Sequence, residues 1–167
     1  TASWMTTWLN VHKPNIEEST RAGYEEKIRN YIIPAMGHIP ITQIDGTFVQ
    51  SWVKNMDDRG LAPRTIKNAH QCLHSAMKTA VQLRMLQHNP CQYTILPKLQ
   101  EYNATVYTDL EIQTAINAAK GTDAFLLVFL GLSVGLRRGE LCALKWEHID
   151  LTNKKIHITE NRVSVKG

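Results

Sequence analysis

The chain is poor in several features that usually narrow a function early. Its three cysteines, Cys72, Cys91 and Cys142, are odd in number and show no Cys-x-x-Cys spacing, so neither a disulfide framework nor a zinc site is suggested. That usage fits a reducing, cytoplasmic setting. No apolar run approaches the roughly 20 residues of a membrane helix, the longest covering only residues 124–132. There is no basic, apolar and small-residue leader either, and the expectation is a soluble protein. The histidines form no His-x-x-His pair and read as surface or packing residues, with none assigned to a metal. Internal repeats and low-complexity tracts are lacking too. The last absence is the most informative: between residues 59 and 100 there is no Asp or Glu, while Arg59, Arg64, Lys67, Lys78, Arg84 and Lys98 all fall there. The net charge of +4 is modest, but it is concentrated. From Glu101 onward acids and bases balance.

What the chain does have is a 43% hydrophobic composition over 167 residues, enough for one ordinary domain or two small ones. Trp4, Met5, Trp8, Leu9 and Val11 recur at helical spacing and stop before Lys13 and Pro14. Ser19 or Thr20 can cap a second helix with Tyr24, Ile28, Tyr31 and Ile32 on one face, closed by Pro34 and by Gly37, which suits a left-handed turn. A third helix over residues 47–56 would bury Phe48, Val49, Trp52, Val53 and Met56. The fourth begins at Pro63, an N1-like position, and keeps the 3.6-residue period through Ile66, Ala69, Leu73, Ala76, Met77 and Ala80. The first stretch, residues 1–88, therefore reads as a small four-helix bundle. Residues 89–107, with Pro90, Pro97 and many amides, read as a linker.

In residues 108–167 Thr108 caps a helix with Asp109 and Glu111 in its first turn, and Gly121 ends it. Residues 123–134 are apolar on every side, which predicts a buried central helix. A glycine turn at Gly135 leads to a short amphipathic helix, and residues 155–159 alternate like a strand after the turn chemistry of residues 150–153, with residues 162–165 able to continue or pair with it. The four tryptophans, Trp4, Trp8, Trp52 and Trp146, sit at core phases.

Residues 133–150, SVGLRRGELCALKWEHID, carry the chemistry. A buried helix running into a glycine turn, two arginines and a new helix would put Arg137 at a helix N-terminus, where free N–H groups already favour an anion. An arginine there binds phosphate with a planar fork and keeps its charge. Glu140, three residues on, shares its helical face and can orient the guanidinium. On residue types alone, a solvated helix end explains the same pair of arginines.

The run Gly135-Leu136-Arg137-Arg138-Gly139-Glu140-Leu141, followed by Ala143-Leu144-Lys145-Trp146 and Ile149-Asp150, resembles the first arginine box of the tyrosine recombinases, the phage integrase family. Upstream, Thr20, Tyr24, Ile28, Ile32-Ile33-Pro34 and Gly37, then Gly60-Leu61, Pro63, Thr65-Ile66 and Asn89-Pro90, resemble its SAM-like core-binding domain. The closest likeness is to integrases of phages and conjugative transposons. The resemblance implies a mainly α chain: a four-helix core-binding bundle, then the first helices and strands of a mixed α+β catalytic domain cut off before its nucleophile. It implies site-specific DNA recombination through a 3'-phosphotyrosine, with no metal or nucleotide cofactor and a tetramer assembled on double-stranded DNA. Arg137 matches the family's first catalytic arginine, and Arg138 occupies the variable next position, a backbone contact or plain exposure. Val134 stands where the family often has Thr. The His-x-x-Arg box and the tyrosine would follow Gly167, and the catalytic lysine belongs in a turn for which Lys166 is close but early.

For DNA contact the acid-free fourth helix is the best surface: Arg64, Lys67, Asn68, Gln71 and Lys78 recur at roughly helical spacing. Thr20, Arg21 and Lys27 on the second helix can reach phosphates, with Glu25 and Glu26 beside them weakening the case. Two other classes stay in view. A non-catalytic helical regulator or accessory factor would use the same basic face without needing a fixed arginine, and a helical protein-interaction module would scatter its charge.

Overall fold

The computed structural model describes residues 1–12, 14–99 and 105–162. The chain divides into two compact units, Thr1–Glu101 and Tyr102–Gly167. Among the described residues no helix is long and apolar enough to cross a membrane.

The first unit is helical. α1 (Ala2–Thr7) runs into a π-helical turn, Trp8–His12. α2 (Glu18–Lys27), a second π-helical turn (Ile28–Ile32) and α3 (Ile33–Met36) follow one another without a break. After a 3-10 turn, Ile41–Gln43, come α4 (Gly46–Asp58) and α5 (Pro63–Gln82). α4 starts where the Asp45 carboxylate accepts the Phe48 N–H at 2.7 Å, and a turn through Gly60, at φ +76°, follows it. α5 has Pro63 in its first turn, where no backbone donor is needed, and buries one face through Ile66, Ala69, Leu73, Ala76, Met77 and Ala80.

The core is built on that face. Met5, Trp8, Ile32, Met36 and Val49 are fully buried around it. Each buried indole has a partner for its N–H: Trp4 donates to the Ala76 carbonyl at 3.3 Å, Trp8 to Thr79 Oγ1 at 3.1 Å and Trp52 to the Tyr31 carbonyl at 3.1 Å. The first two tie α1 and the turn after it to α5. Burial pushes the thiols of Cys72 and Cys91 up to about 12, leaving them inert.

Three local readings change. Ser19 and Thr20 lie inside α2, not before it. The helix closes earlier because the Glu17 carbonyl already accepts the N–H groups of Thr20 and Arg21. The second helix passes Pro34 and ends at Met36. The π-helical turn ends at Ile32, two residues ahead of Pro34, whose ring removes a donor, and Gly37 follows in right-handed geometry at φ −58°. Residues 89–99, read as linker, pack on the first unit. Cys91 is buried in its core, Leu96 lies against it, and the Asn89 side-chain amide donates to the His74 carbonyl at 3.0 Å.

In the second unit, α6 (Asp109–Ala119) carries a capping box. Thr108 Oγ1 accepts the Glu111 N–H at 3.3 Å and Glu111 Oε2 accepts the Thr108 N–H at 2.8 Å. α7 (Phe125–Val134), α8 (Arg138–Ala143) and a 3-10 turn (Trp146–His148) lead to an antiparallel pair, β1 (Ile149–Asp150) and β2 (Lys155–Ile156), in register Ile149 to Ile156. Asp150 holds the intervening turn by accepting the Asn153 N–H at 2.9 Å. The strand is shorter than the alternation over residues 155–159 suggests. The Arg162 N–H goes to the Gly139 carbonyl, and residues 163–165 lie outside the described residues.

α7 is not the buried helix its composition predicts. Leu126 is 55% exposed, and Leu127 and Phe129 are open as well. A helix that is apolar all round needs cover on every side, and here α6 and α8 pack against only part of it. Trp146 is likewise 77% exposed, on the rim of an apolar groove lined by Leu126, Leu130, Leu141, Leu144 and Ile156.

Candidate functional site

The arginine turn is set by backbone geometry first. α7 stops at Gly135, whose φ of +74° is a left-handed conformation that costs a side-chain-bearing residue roughly 1–2 kcal/mol. The chain re-extends through Arg137, at φ −69° and ψ 152°, which is the N-cap of α8. An arginine side chain has no acceptor and cannot cap the helix itself. Glu140 does the reciprocal half of the work from the third helical position. Its Oε2 accepts the Arg137 N–H at 2.8 Å and its Oε1 accepts the Arg137 Nη1 donor at 3.0 Å. Those two bonds, the backbone one first, hold the Glu140 carboxyl below the usual range.

The consequence is an asymmetric pair. The Glu140 side chain is only 18% exposed, whereas that of Arg137 is 86% exposed. The arginine is anchored at its main chain and at one guanidinium nitrogen, and its remaining donors face solvent. Arg138, the first residue of α8, is exposed beside it. Lys166 lies outside the described residues.

On α5, Arg64, Asn68, Gln71 and Lys78 are exposed and Lys67 is partly so. At 3.6 residues per turn all five fall within about 100° of arc, along about 20 Å of helix. The arc also contains Ser75 and Gln82, which the same helical phase could have found. Among the described residues Arg64, Lys67 and Lys78 form no ion pair, so their charge is uncompensated. α2 is different. Thr20 is exposed in its first turn, but Arg21 pairs with Glu25 at 3.1 Å and also bonds Asn10, and Lys27 pairs with Glu26 at 3.1 Å. One group of a different kind escaped the sequence reading: His70, on the inner side of α5, is 6% exposed and its Nε2 has no partner. Among the described residues no group of His, Cys, Asp and Glu is placed to hold a metal.

Residues 2–70 match the phage integrase N-terminal SAM-like domain family. A tyrosine recombinase XerC-like protein of Caldanaerobacter subterraneus subsp. tengcongensis is 30% identical over 162 residues, covering 92% of this chain and 41% of that protein. Among solved structures, a Tn1549 transposon integrase in complex with circular intermediate DNA superposes with a TM-score of 0.84 at 22% identity, over 96% of this chain and 54% of that one. A lambda integrase from a tetramer bound to a Holliday junction superposes with a TM-score of 0.75 at 23% identity, over 89% of this chain and 43% of that one. The chain spans about two fifths of the length of the curated relatives it matches. Residues 2–70 thus match a phage integrase domain family, and the chain as a whole is similar to tyrosine recombinases and integrases. Its fold is that of the N-terminal region of these enzymes, with residues 2–70 forming the SAM-like part.

Proposed function

We propose that the full-length protein carries out site-specific DNA recombination through a 3'-phosphotyrosine intermediate, and that residues 1–88 act as its core-binding DNA clamp. Residues 89–99 close on that clamp, residues 100–107 serve as the connector, and residues 108–167 are the leading part of the catalytic domain. The observation that carries this reading is the Arg137–Glu140 pair, which fixes the base of an arginine and leaves its fork open. The backbone bond would cap any solvated helix end, whereas the second bond sets the direction of the guanidinium. In the reaction a tyrosine hydroxyl gives up its proton and attacks a DNA phosphate, negative charge grows on the non-bridging oxygens, and the P–O5' bond breaks, the leaving oxygen taking up a proton to become a 5'-hydroxyl. Catalysis then rests on fixed cations. Arg137 supplies one, Glu140 orients it, Arg138 contacts the DNA backbone, and Lys166 is the candidate for the family's catalytic lysine. No metal or nucleotide takes part.

In these 167 residues no tyrosine follows Tyr107, so none succeeds the arginine turn as the family's nucleophile does. The chain by itself should bind DNA without cutting it. The α5 face, Arg64 to Lys78, tracks the duplex, with Thr20, Arg21 and Lys27 as secondary phosphate contacts. The working assembly is a tetramer on double-stranded DNA in a bacterial cytoplasm.

The test is duplex binding by the 167-residue chain across a salt series. Log K should fall linearly with log salt, by about 0.9 for each phosphate neutralised, and Lys78→Ala should flatten the slope by about one contact. Binding that is absent or indifferent to salt would remove the clamp.

A further inference from the structure

The segment that follows β2 runs back along α8 and ends against the arginine turn. The His157 N–H donates to the His148 carbonyl at 2.9 Å, and Thr159 Oγ1 lies 3.3 Å from His148 Nε2. One residue later Glu160 pairs with Lys145 Nζ at 2.9 Å. Then the Arg162 N–H donates to the Gly139 carbonyl at 3.0 Å. The partners thus step from residue 148 to 145 to 139, toward the N-terminus of α8. Between them, Asn161 lies directly over Gly139. A side chain at 139 would collide with the Asn161 carboxamide and, at 2.7 Å, with the Arg162 carbonyl oxygen. Gly139 has helical geometry and no left-handed φ, so its missing side chain reflects this close approach and not backbone freedom.

Gly139 lies between Arg137 and Glu140, the two residues whose mutual geometry defines the site. Anything that moves its peptide shifts the Glu140 carboxylate relative to the Arg137 N–H. We infer that residues 159–162 are a positioning strap, seated on Gly139 through Asn161 and tied down by the Glu160–Lys145 pair, that holds Arg137 aligned for the phosphate. This rests on the recombinase reading. Asn161 and Glu160 are positioning residues and need not touch DNA. Misplacing a phosphate-binding cation by a fraction of an ångström weakens transition-state stabilisation while leaving ground-state binding nearly intact.

The experiment uses the full-length protein and single-turnover cleavage of a duplex, with DNA affinity measured alongside, for Arg137→Ala, Glu160→Gln paired with Asn161→Ala, and Gly139→Ala. The strap variants should keep DNA affinity within about threefold and cleave about tenfold or more slowly, short of the loss caused by Arg137→Ala. A duplex with a methylphosphonate at the scissile position separates alignment from general damage, since it lacks the charge that Arg137 serves. On it the gap between strap variant and wild type should shrink to under about threefold. Gly139→Ala can fail to fold. The Glu160 and Asn161 changes only remove or neutralise exposed groups and carry the test in that event. Strap variants that cleave the phosphate duplex at the wild-type rate while Arg137→Ala does not, or whose deficit is equal on both duplexes, overturn the strap and leave the recombinase reading standing. If Arg137→Ala itself cleaves normally, the reading beneath it falls instead.

Discussion

Glu140 holds Arg137 twice, accepting its main-chain N–H at 2.8 Å through one carboxylate oxygen and its guanidinium at 3.0 Å through the other. The first bond stops the helix from fraying at the turn and the second sets the direction of the fork. Both gain from the carboxylate's charge, and in the second both partners are charged.

Glu140→Gln and Glu140→Ala should therefore differ. The glutamine keeps an acceptor for the Arg137 N–H and loses most of the charged contact; the alanine loses both. In single-turnover cleavage by the full-length protein, the order of rates should be wild type, then Gln, then Ala, with Ala slower by about tenfold or more and DNA affinity little changed. Equal rates for all three would show that Glu140 does not orient Arg137.

His70 makes stability depend on pH. Burial first, and the neighbouring His74 second, hold its imidazole below the ordinary value of 6.5. The unfolded chain then takes up the proton before the folded one does. Stability is flat above the unfolded value and falls as pH drops from there toward the lowered folded value. Urea unfolding followed from about pH 7.5 to about pH 5 should show this decline, and His70→Phe should flatten it. An identical decline in both proteins would assign the effect to other groups.

Leu73 and Trp146 should respond oppositely to truncation. Leu73 is fully buried on α5, so Leu73→Ala should cost about 2–5 kcal/mol, measured by urea unfolding of the 167-residue chain. Trp146 is 77% exposed, and Trp146→Ala should change stability by less than about 0.5 kcal/mol in the same experiment. A large loss at Trp146 would place it in a packed core.

Composition and phase explain why this contrast was missed. α5 was legible because a 20-residue helix with a proline start, a full 3.6 period and no acid has one consistent reading. Thr108 and Glu111 announce the start of α6 in the same way, through chemistry confined to four residues. Trp146 and α7 look buried because apolar character is local, whereas burial depends on what packs against them. The start of α2 eluded a rule about cap side chains, because the Glu17 main chain closes the turn without one. In the site, Glu140 was legible at a spacing of three residues from Arg137. The seat of Asn161 on Gly139 joins residues 22 positions apart, and no periodicity announces it.

On the proposed function, Arg137 serves the chemical step and not the affinity for DNA. The direct measurement is single-turnover strand cleavage, with DNA binding in parallel, for Arg137→Ala in the full-length protein. Cleavage should be lost while affinity for the duplex stays within about threefold of wild type, since one exposed phosphate contact among many contributes little to binding. Cleavage at a near wild-type rate would contradict this and remove Arg137 from the catalytic set.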